Sequence, residues 1–180
     1  IAGWAEIARG TRARVDDALD RIETSAHAAR EAARGLLGAA RGASAAAGPR
    51  GTDAAALAVD RARTLGPLAA SRGARIDAAV TGPALVDDPS GLLWTALWNL
   101  VKNAIEAATE GGLVELRVAA LPRGVRITVS DDGPGMDVAA RERAFVPYLT
   151  TKRDGTGLGL PLVKRAVEGL GGTVALEGRR

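Results

Sequence analysis

The sequence predicts an α+β protein in two parts, a helical hairpin followed by an α/β sandwich. Three observations carry that prediction. Within the first 42 residues, small and apolar side chains recur at alternating spacings of three and four, the seam of a coiled coil or helical hairpin. The segment GASAAAGPRGT (42–52) carries Gly, Ser and Pro and reads as a linker. Beyond it, helical periodicity alternates with short stretches of period-two patterning. At 180 residues the chain can hold one core plus a helical appendage, but is short for two full-sized domains.

Taken in order, residues 1–42 read as helix, with Leu19, Ile22, Ala26, Ala29, Ala33, Leu36 and Ala40 on the seam. Asp17 and Arg21, four apart on the polar side, support it. GTRAR, between Ala8 and Val15, interrupts the pattern as a hairpin turn. The first helix is then only Ile1 to Arg9, short for a partner to 16–41, so sequence is expected upstream. After the linker, 53–72 is helical and RIDAAV (75–80) alternates as a strand. A helix is expected over 90–109, with Asp88 as N-cap, Pro89 at its first position, and Gly111 and Gly112 ending it. LVELRVA (113–119) and VRITVS (125–130) flank LPRG as a hairpin. A Gly-rich stretch (131–135) and an irregular region precede GTGLGL, which opens a helix to about Leu170, and TVALE reads as a last strand.

Composition removes several functions. With 47% hydrophobic and 25% charged residues the chain is not broadly disordered. It has no Cys and a single His, His27, which excludes thiol nucleophiles, disulfides, Cys-based zinc sites and imidazole clusters. Oxygen-ligated magnesium needs neither residue type. Only 3% of residues are aromatic, against base-stacking surfaces, and the 24 basic and 21 acidic residues form no block, so no nucleic acid is expected as partner. No apolar run approaches the roughly 20 residues of a bilayer span, so no membrane contact is expected of this chain.

Three motifs carry chemistry. On the 90–109 helix, Leu93, Leu97, Leu100, Ala104 and Ala108 make an apolar stripe, while Thr95, Asn99, Asn103 and Glu106 fall on the other side. Two Asn one turn apart offer neutral oxygens that can hold a magnesium ion with its triphosphate; the plainer reading is a solvated helix face. Next, DDGPGM (131–136) leaves the Asp131 carboxylate at the sheet edge, where it can accept a hydrogen bond from an exocyclic amine such as that of adenine. An ordinary Asp-Gly turn is the alternative. Third, Gly155, Gly157 and Gly159 free successive N–H groups to converge on phosphate oxygens at a helix N-terminus. Their spacing is neither a Walker A loop nor a Rossmann fingerprint.

In order and spacing the three together resemble the GHKL (Bergerat-fold) nucleotide-binding superfamily, and within it the sensor histidine kinases. NLVKNAIEA (99–107) is similar to the kinase N box, DDGPGM to the G1 box, GTGLGL to the G2 box and RAFVPYLTTK (143–152) to the F box of the nitrogen-regulation-sensor branch. The resemblance implies a mixed sheet covered by helices on one face, with ATP and Mg as cofactors. It implies that Asn103 ligates magnesium, that Asn99 sits beside the phosphates, and that Asp131 binds the adenine amine, with Gly133 and Gly135 shaping that end. Residues 136–154 would form the ATP lid. Tyr148, Thr151, Lys152, Gly155, Thr156, Gly157, Leu158 and Gly159 complete the ATP-binding set by the same carry-over. Where the family often has a basic residue, this chain has Glu106, with Lys152 or Lys102 to compensate.

The resemblance further implies that residues 1–48 are a dimerisation hairpin forming a four-helix bundle in a homodimer, and that 49–180 are the ATP-binding domain. His27 lacks the acidic and Pro-Leu residues that follow a phosphoacceptor, so that acceptor is expected outside this chain. The domain is also expected to lack its last strand. The implied activity is a protein-histidine kinase that passes the γ-phosphoryl of ATP to His and thence to a response regulator, in the bacterial cytoplasm. Two alternatives are a GHKL serine kinase of anti-sigma-factor type and a non-catalytic nucleotide-binding or dimerisation module. Gyrase-like ATPases fit least, since they need a Glu where Asn99 stands.

Overall fold

The computed structural model describes residues 51–150 and 157–178. They form a two-residue strand β1 (Thr52–Asp53), helix α1 (Ala54–Ser71), strands β2 (Arg75–Val80) and β3 (Leu85–Val86), and helix α2 (Leu92–Ala107). Strands β4 (Leu113–Leu121) and β5 (Gly124–Ser130) follow, then helices α3 (Val138–Arg143) and α4 (Gly159–Gly169). All belong to one unit, Gly48–Arg180. The expectations for the hairpin, its seam and His27 lie outside the described residues, as do those for Thr151, Lys152, Gly155 and Thr156.

The main sheet has the order β2-β4-β5, with β2 parallel to β4 and β4 antiparallel to β5. It is mixed, as expected. The β4–β5 hairpin closes at Leu121↔Gly124, leaving Pro122 and Arg123 as a two-residue turn, and Gly124 takes φ +107, a value that favours glycine. Alternation decides which face is covered. Val114, Leu116 and Val118 of β4 are buried with Ile76 of β2 and Val125, Ile127 and Val129 of β5 against them. Arg75, Asp77, Arg117, Arg126 and Thr128 point the other way and are exposed.

Helices α1 and α2 cover the apolar face. α1 contributes mostly alanines, Ala54, Ala58 and Ala69 with Leu65, so it packs close to the sheet. It runs through Gly66 and Pro67 without ending. α2 supplies the bulk: Leu97, Val101 and Ile105 are fully buried, each worth about 1.5–3 kcal/mol over an exposed side chain. Where the two helices meet, buried Arg61 lies 5.0 Å from the Trp94 ring centroid and 5.9 Å from that of Trp98. The two indoles stack at 5.3 Å, 6° from parallel. Asp60 pairs with the Arg61 guanidinium.

Several expectations are corrected. α2 begins at Leu92, and its N-cap position is Gly91 in the left-handed region, φ +69. Asp88 still caps it, from further upstream: its carboxylate accepts from the N–H of Leu92 (2.8 Å) and of Leu93 (2.9 Å), while Pro89 sits in the preceding turn. The helix ends at Ala107, before the Gly pair. Leu100 leaves the sheet-facing stripe and packs with Ala96, Val163 and Ala166, because α4 covers a second face of α2. TVALE keeps alternating exposure but, among the described residues, joins no strand pairing. The pairing of β1 with β3 and the short α3, capped by Asp137, were not anticipated.

Candidate functional site

The second face of α2 organises the site. α2 and α4 run antiparallel, as two glycines of α4 show. A Cβ on Gly169 would lie 2.8 Å from Leu92 Cδ1, near the start of α2. A Cβ on Gly159, at the other end of α4, would lie 3.2 Å from Asn103 Nδ2, 3.5 Å from Asn103 Oδ1 and 3.4 Å from Asn99 Oδ1. Both Asn therefore meet the first residue of α4, and only a residue without a side chain leaves that junction open. Asn99 donates through Nδ2 to the Thr95 carbonyl (2.9 Å), which turns its oxygen outward. The N-cap position of α4 is Leu158, whose side chain makes no capping hydrogen bond. The positive dipole end of α4 thus starts beside two neutral amides, an arrangement that suits an anion.

One turn beyond Asn103, the same helix defines a second point. A Cβ on Gly133 would lie 2.2 Å from the Ala107 carbonyl oxygen, so the loop after β5 touches the last residue of α2 backbone to backbone. That contact fixes Asp131, half-buried, whose Oδ1 accepts from the Gly133 N–H (3.0 Å) and whose other oxygen takes no part in that bond. Asn99 and Ala107 are eight residues apart, about 12 Å along the axis at 1.5 Å per residue, on the scale of a nucleoside triphosphate. Asp131 and Gly133 thus sit at one end of this face of α2 and Asn99, Asn103 and Gly159 at the other.

The remaining predicted residues are placed less centrally. Gly135 takes φ +73 with open space where a Cβ would go, so it serves the turn rather than a close approach. Tyr148 is 77% exposed and, at φ +64, the non-Gly residue found in the left-handed region among those described. Its N–H donates to the Gly157 carbonyl (3.0 Å), and a Cβ on Gly157 would run into the Tyr148 backbone at 2.6 Å. The two backbones are pinched together just before α4. Lys102 and Glu106 lie 4.0 Å apart as an i,i+4 pair.

Sequence reasoning missed Asp132. Its carboxylate accepts from the Thr109 N–H and the Leu113 N–H, each at 3.2 Å. Burial works to raise its pKa, but those two N–H groups and the Thr109 hydroxyl together hold it below the usual carboxylate range. An Asp doublet where the chemistry needs one carboxylate was the available signal. A shallow groove of about 420 Å³, lined by Asp53, Val59, Arg63, Val80 and Pro83 among others, shares no residue with this site. The Asp53 carboxylate there is already committed to the N–H groups of Ala55 and Ala84.

The model of the histidine kinase-, DNA gyrase B- and HSP90-like ATPase family matches residues 88–180, the stretch that holds α2, the Asp131 loop and α4. The chain belongs to that family. Among curated members, it is 42% identical over 83 residues to the C4-dicarboxylate transport sensor protein DctB of Rhizobium meliloti, covering 45% of this chain and 13% of that one. It is 41% identical over 108 residues to the sensor histidine kinase ZraS of Escherichia coli O157:H7, covering 58% and 23%. The chain thus spans less than a quarter of the length of either relative. Among solved structures, full-length ShkA in complex with AMPPNP matches with a TM-score of 0.63 and 32% identity, over 85% of this chain and 31% of that chain.

Proposed function

We propose that this chain is the ATP-binding kinase core of a bacterial two-component sensor histidine kinase. The observation that carries the reading is the convergence of Asn99 and Asn103 on Gly159 at the N-terminus of α4, where an apolar Leu158 holds the N-cap position. In it, the phosphates of ATP lie between the Asn pair and the N-terminal amides of α4, with Gly157 and Leu158 leading into that turn. Asp131 takes the adenine amine at the other end, with Gly133 and Gly135 shaping the loop. Thr151, Lys152, Gly155 and Thr156 would complete the phosphate contacts, and Tyr148 the lid side. Family membership and the AMPPNP complex of ShkA support ATP as the ligand.

Magnesium fits the donor set. Among the described residues no cluster of three or more His, Cys, Asp or Glu could hold a metal, so a divalent ion here relies on amide oxygen and the triphosphate itself. Asn103 would hold it, with Asn99 alongside; when bound, the ion neutralises phosphate charge. Asn99 and Asn103 orient the phosphates without the repulsion carboxylates would add, and Asp131 fixes the base so that the γ-phosphoryl is presented in one place. Phosphoryl transfer asks mainly for that positioning and for charge stabilisation. The acceptor would be a histidine other than His27, with a response regulator receiving the group next.

Within this proposal residues 1–48 are a dimerisation hairpin that pairs with a second copy, and 49–180 the ATP-binding domain of a kinase working in the cytoplasm. Among the described residues no helix is long and apolar enough to cross a membrane.

Titration of the full chain with ATP, with and without magnesium, tests the core of the reading. Wild type should bind more tightly with magnesium, and Asn103→Ala should lose roughly tenfold to hundredfold in magnesium-dependent affinity, the range seen when groups supporting a metal are removed. Binding indifferent to both would sink it.

A further inference from the structure

We propose that Asp132 is a positioning residue for base recognition: it holds the neighbouring Asp131 where it can select the exocyclic amine of a purine. The inference rests on the reading of Asp131 as the base-binding carboxylate. Asp132 Oδ1 accepts from the N–H of Thr109 and Oδ2 from that of Leu113, the two residues that bracket the turn between α2 and β4. One carboxylate at the end of β5 therefore staples the connection that leaves α2. With both oxygens engaged by backbone, Asp132 is the tether of this pair, and Asp131 is the one with an oxygen left over.

Two glycines show that the tether was built to fit. A Cβ on Gly112 would lie 2.5 Å from Asp132 Oδ1, so the carboxylate occupies space that Gly112 leaves open. On the other side of Asp131, Gly133 lies against the Ala107 carbonyl too closely for any side chain. Upstream, Ser130 is in register with Glu115 of β4. Asp131 is thus held before, beside and after: by the β4–β5 ladder, by the Asp132 staple, and by the Gly133 contact with α2. Without Asp132 the loop keeps two attachments but loses the one that ties it to the far side of the turn. The carboxylate of Asp131 would remain present but spread over more positions. A hydrogen bond to a single amine is sensitive to such spreading, because its strength falls steeply with angle and distance.

Affinity of the full chain for ATP and for purine riboside triphosphate, which lacks the exocyclic amine, tests this together with the unfolding midpoint. Wild type should prefer ATP, and Asp131→Ala should abolish the preference. Asp132→Ala should keep magnesium-dependent phosphate binding while the preference falls about fivefold, the equivalent of one ordinary hydrogen bond. If Asp132→Ala does not fold, Asp132→Asn decides, since it keeps the shape but sets an NH₂ against one of the two N–H donors; a smaller preference is again expected. A wild-type preference in a folded Asp132 variant, whatever its unfolding midpoint, overturns the proposal and leaves a structural role only. A wild-type preference in Asp131→Ala overturns the base reading itself, and this inference with it.

Discussion

At the Asp131 end of this face of α2 every contact has backbone on at least one side: the Gly133 backbone on the Ala107 carbonyl, and the Asp132 carboxylate on the N–H groups of Thr109 and Leu113. At the other end they are between side chains and open helix: Asn99 and Asn103 stand 3.2–3.5 Å from the Cβ position of Gly159. The difference matters because contacts seated on backbone, one of them backbone to backbone, adjust little, whereas amide side chains can rotate. One end is prebuilt to a single geometry. The other keeps room for a ligand that brings its own charge. A flat, amine-bearing base suits the first, and a triphosphate with a cation suits the second.

The comparison is broken most forcefully at Gly133. A methyl there meets a carbonyl oxygen at 2.2 Å, and backbone must move to admit it. Gly133→Ala should destabilise by about 1–3 kcal/mol, the usual cost of overpacking, and reduce ATP affinity by roughly tenfold or more. Gly135→Ala is the control. It has open space but φ +73, so it should cost about 1 kcal/mol in thermal stability and leave affinity within about threefold. Equal affinities for the two variants would show that the Asp131 end is not locked by that contact.

At the Asn end the effect should be smaller and of another kind. Gly159→Ala puts a methyl 3.2–3.5 Å from movable amides, not from backbone. Stability should hold or rise slightly, since Ala is preferred to Gly in a helix by about 1 kcal/mol. Nucleotide affinity should fall by about threefold to tenfold, the equivalent of roughly one hydrogen bond. Calorimetry gives both quantities on one sample. A drop in melting temperature with unchanged affinity would mean the junction is packing alone.

The two ends also differ in how far they were legible in the sequence. The Asn pair reads directly, because i and i+4 on a helix share a face whatever surrounds it. The order of Asn helix, Asp-Gly loop and Gly-rich turn was enough for the family. The partners of Asp132 are not legible: Thr109 and Leu113 lie 23 and 19 residues upstream, and they are main-chain donors that leave no mark in residue type, so the Asp doublet alone does not say what the second Asp holds. The same holds for β1 and β3, two residues each, joined only because Thr52 pairs with Val86. A single amphipathic stripe places Leu100 on the sheet, while α2 has α4 on a second face. TVALE alternates correctly but a strand needs a partner, and its period alone does not supply one.

The smallest effect should appear in acid and separates the ends by charge. Asp132 and Asp53 both have carboxyl groups held below the ordinary value of 3.8, whereas Asn99 and Asn103 do not titrate. For Asp53 the largest cause is the Ala84 N–H, with those of Ala55 and Ala56 adding and burial opposing; for Asp132 burial opposes and the Thr109 and Leu113 donors outweigh it. A folded pKa below the unfolded one means the stabilisation is fully present above the unfolded value and is lost as pH falls through the folded value. Urea midpoints measured from about pH 5 down to about pH 2 should therefore fall on the acid side in wild type. Asp53→Asn and Asp132→Asn should each start lower near neutrality and fall less steeply. An Asp132→Asn curve parallel to wild type would mean its carboxylate is not the form that holds the turn, and the rigidity of the Asp131 end would then have to come from Gly133 and Ala107 alone.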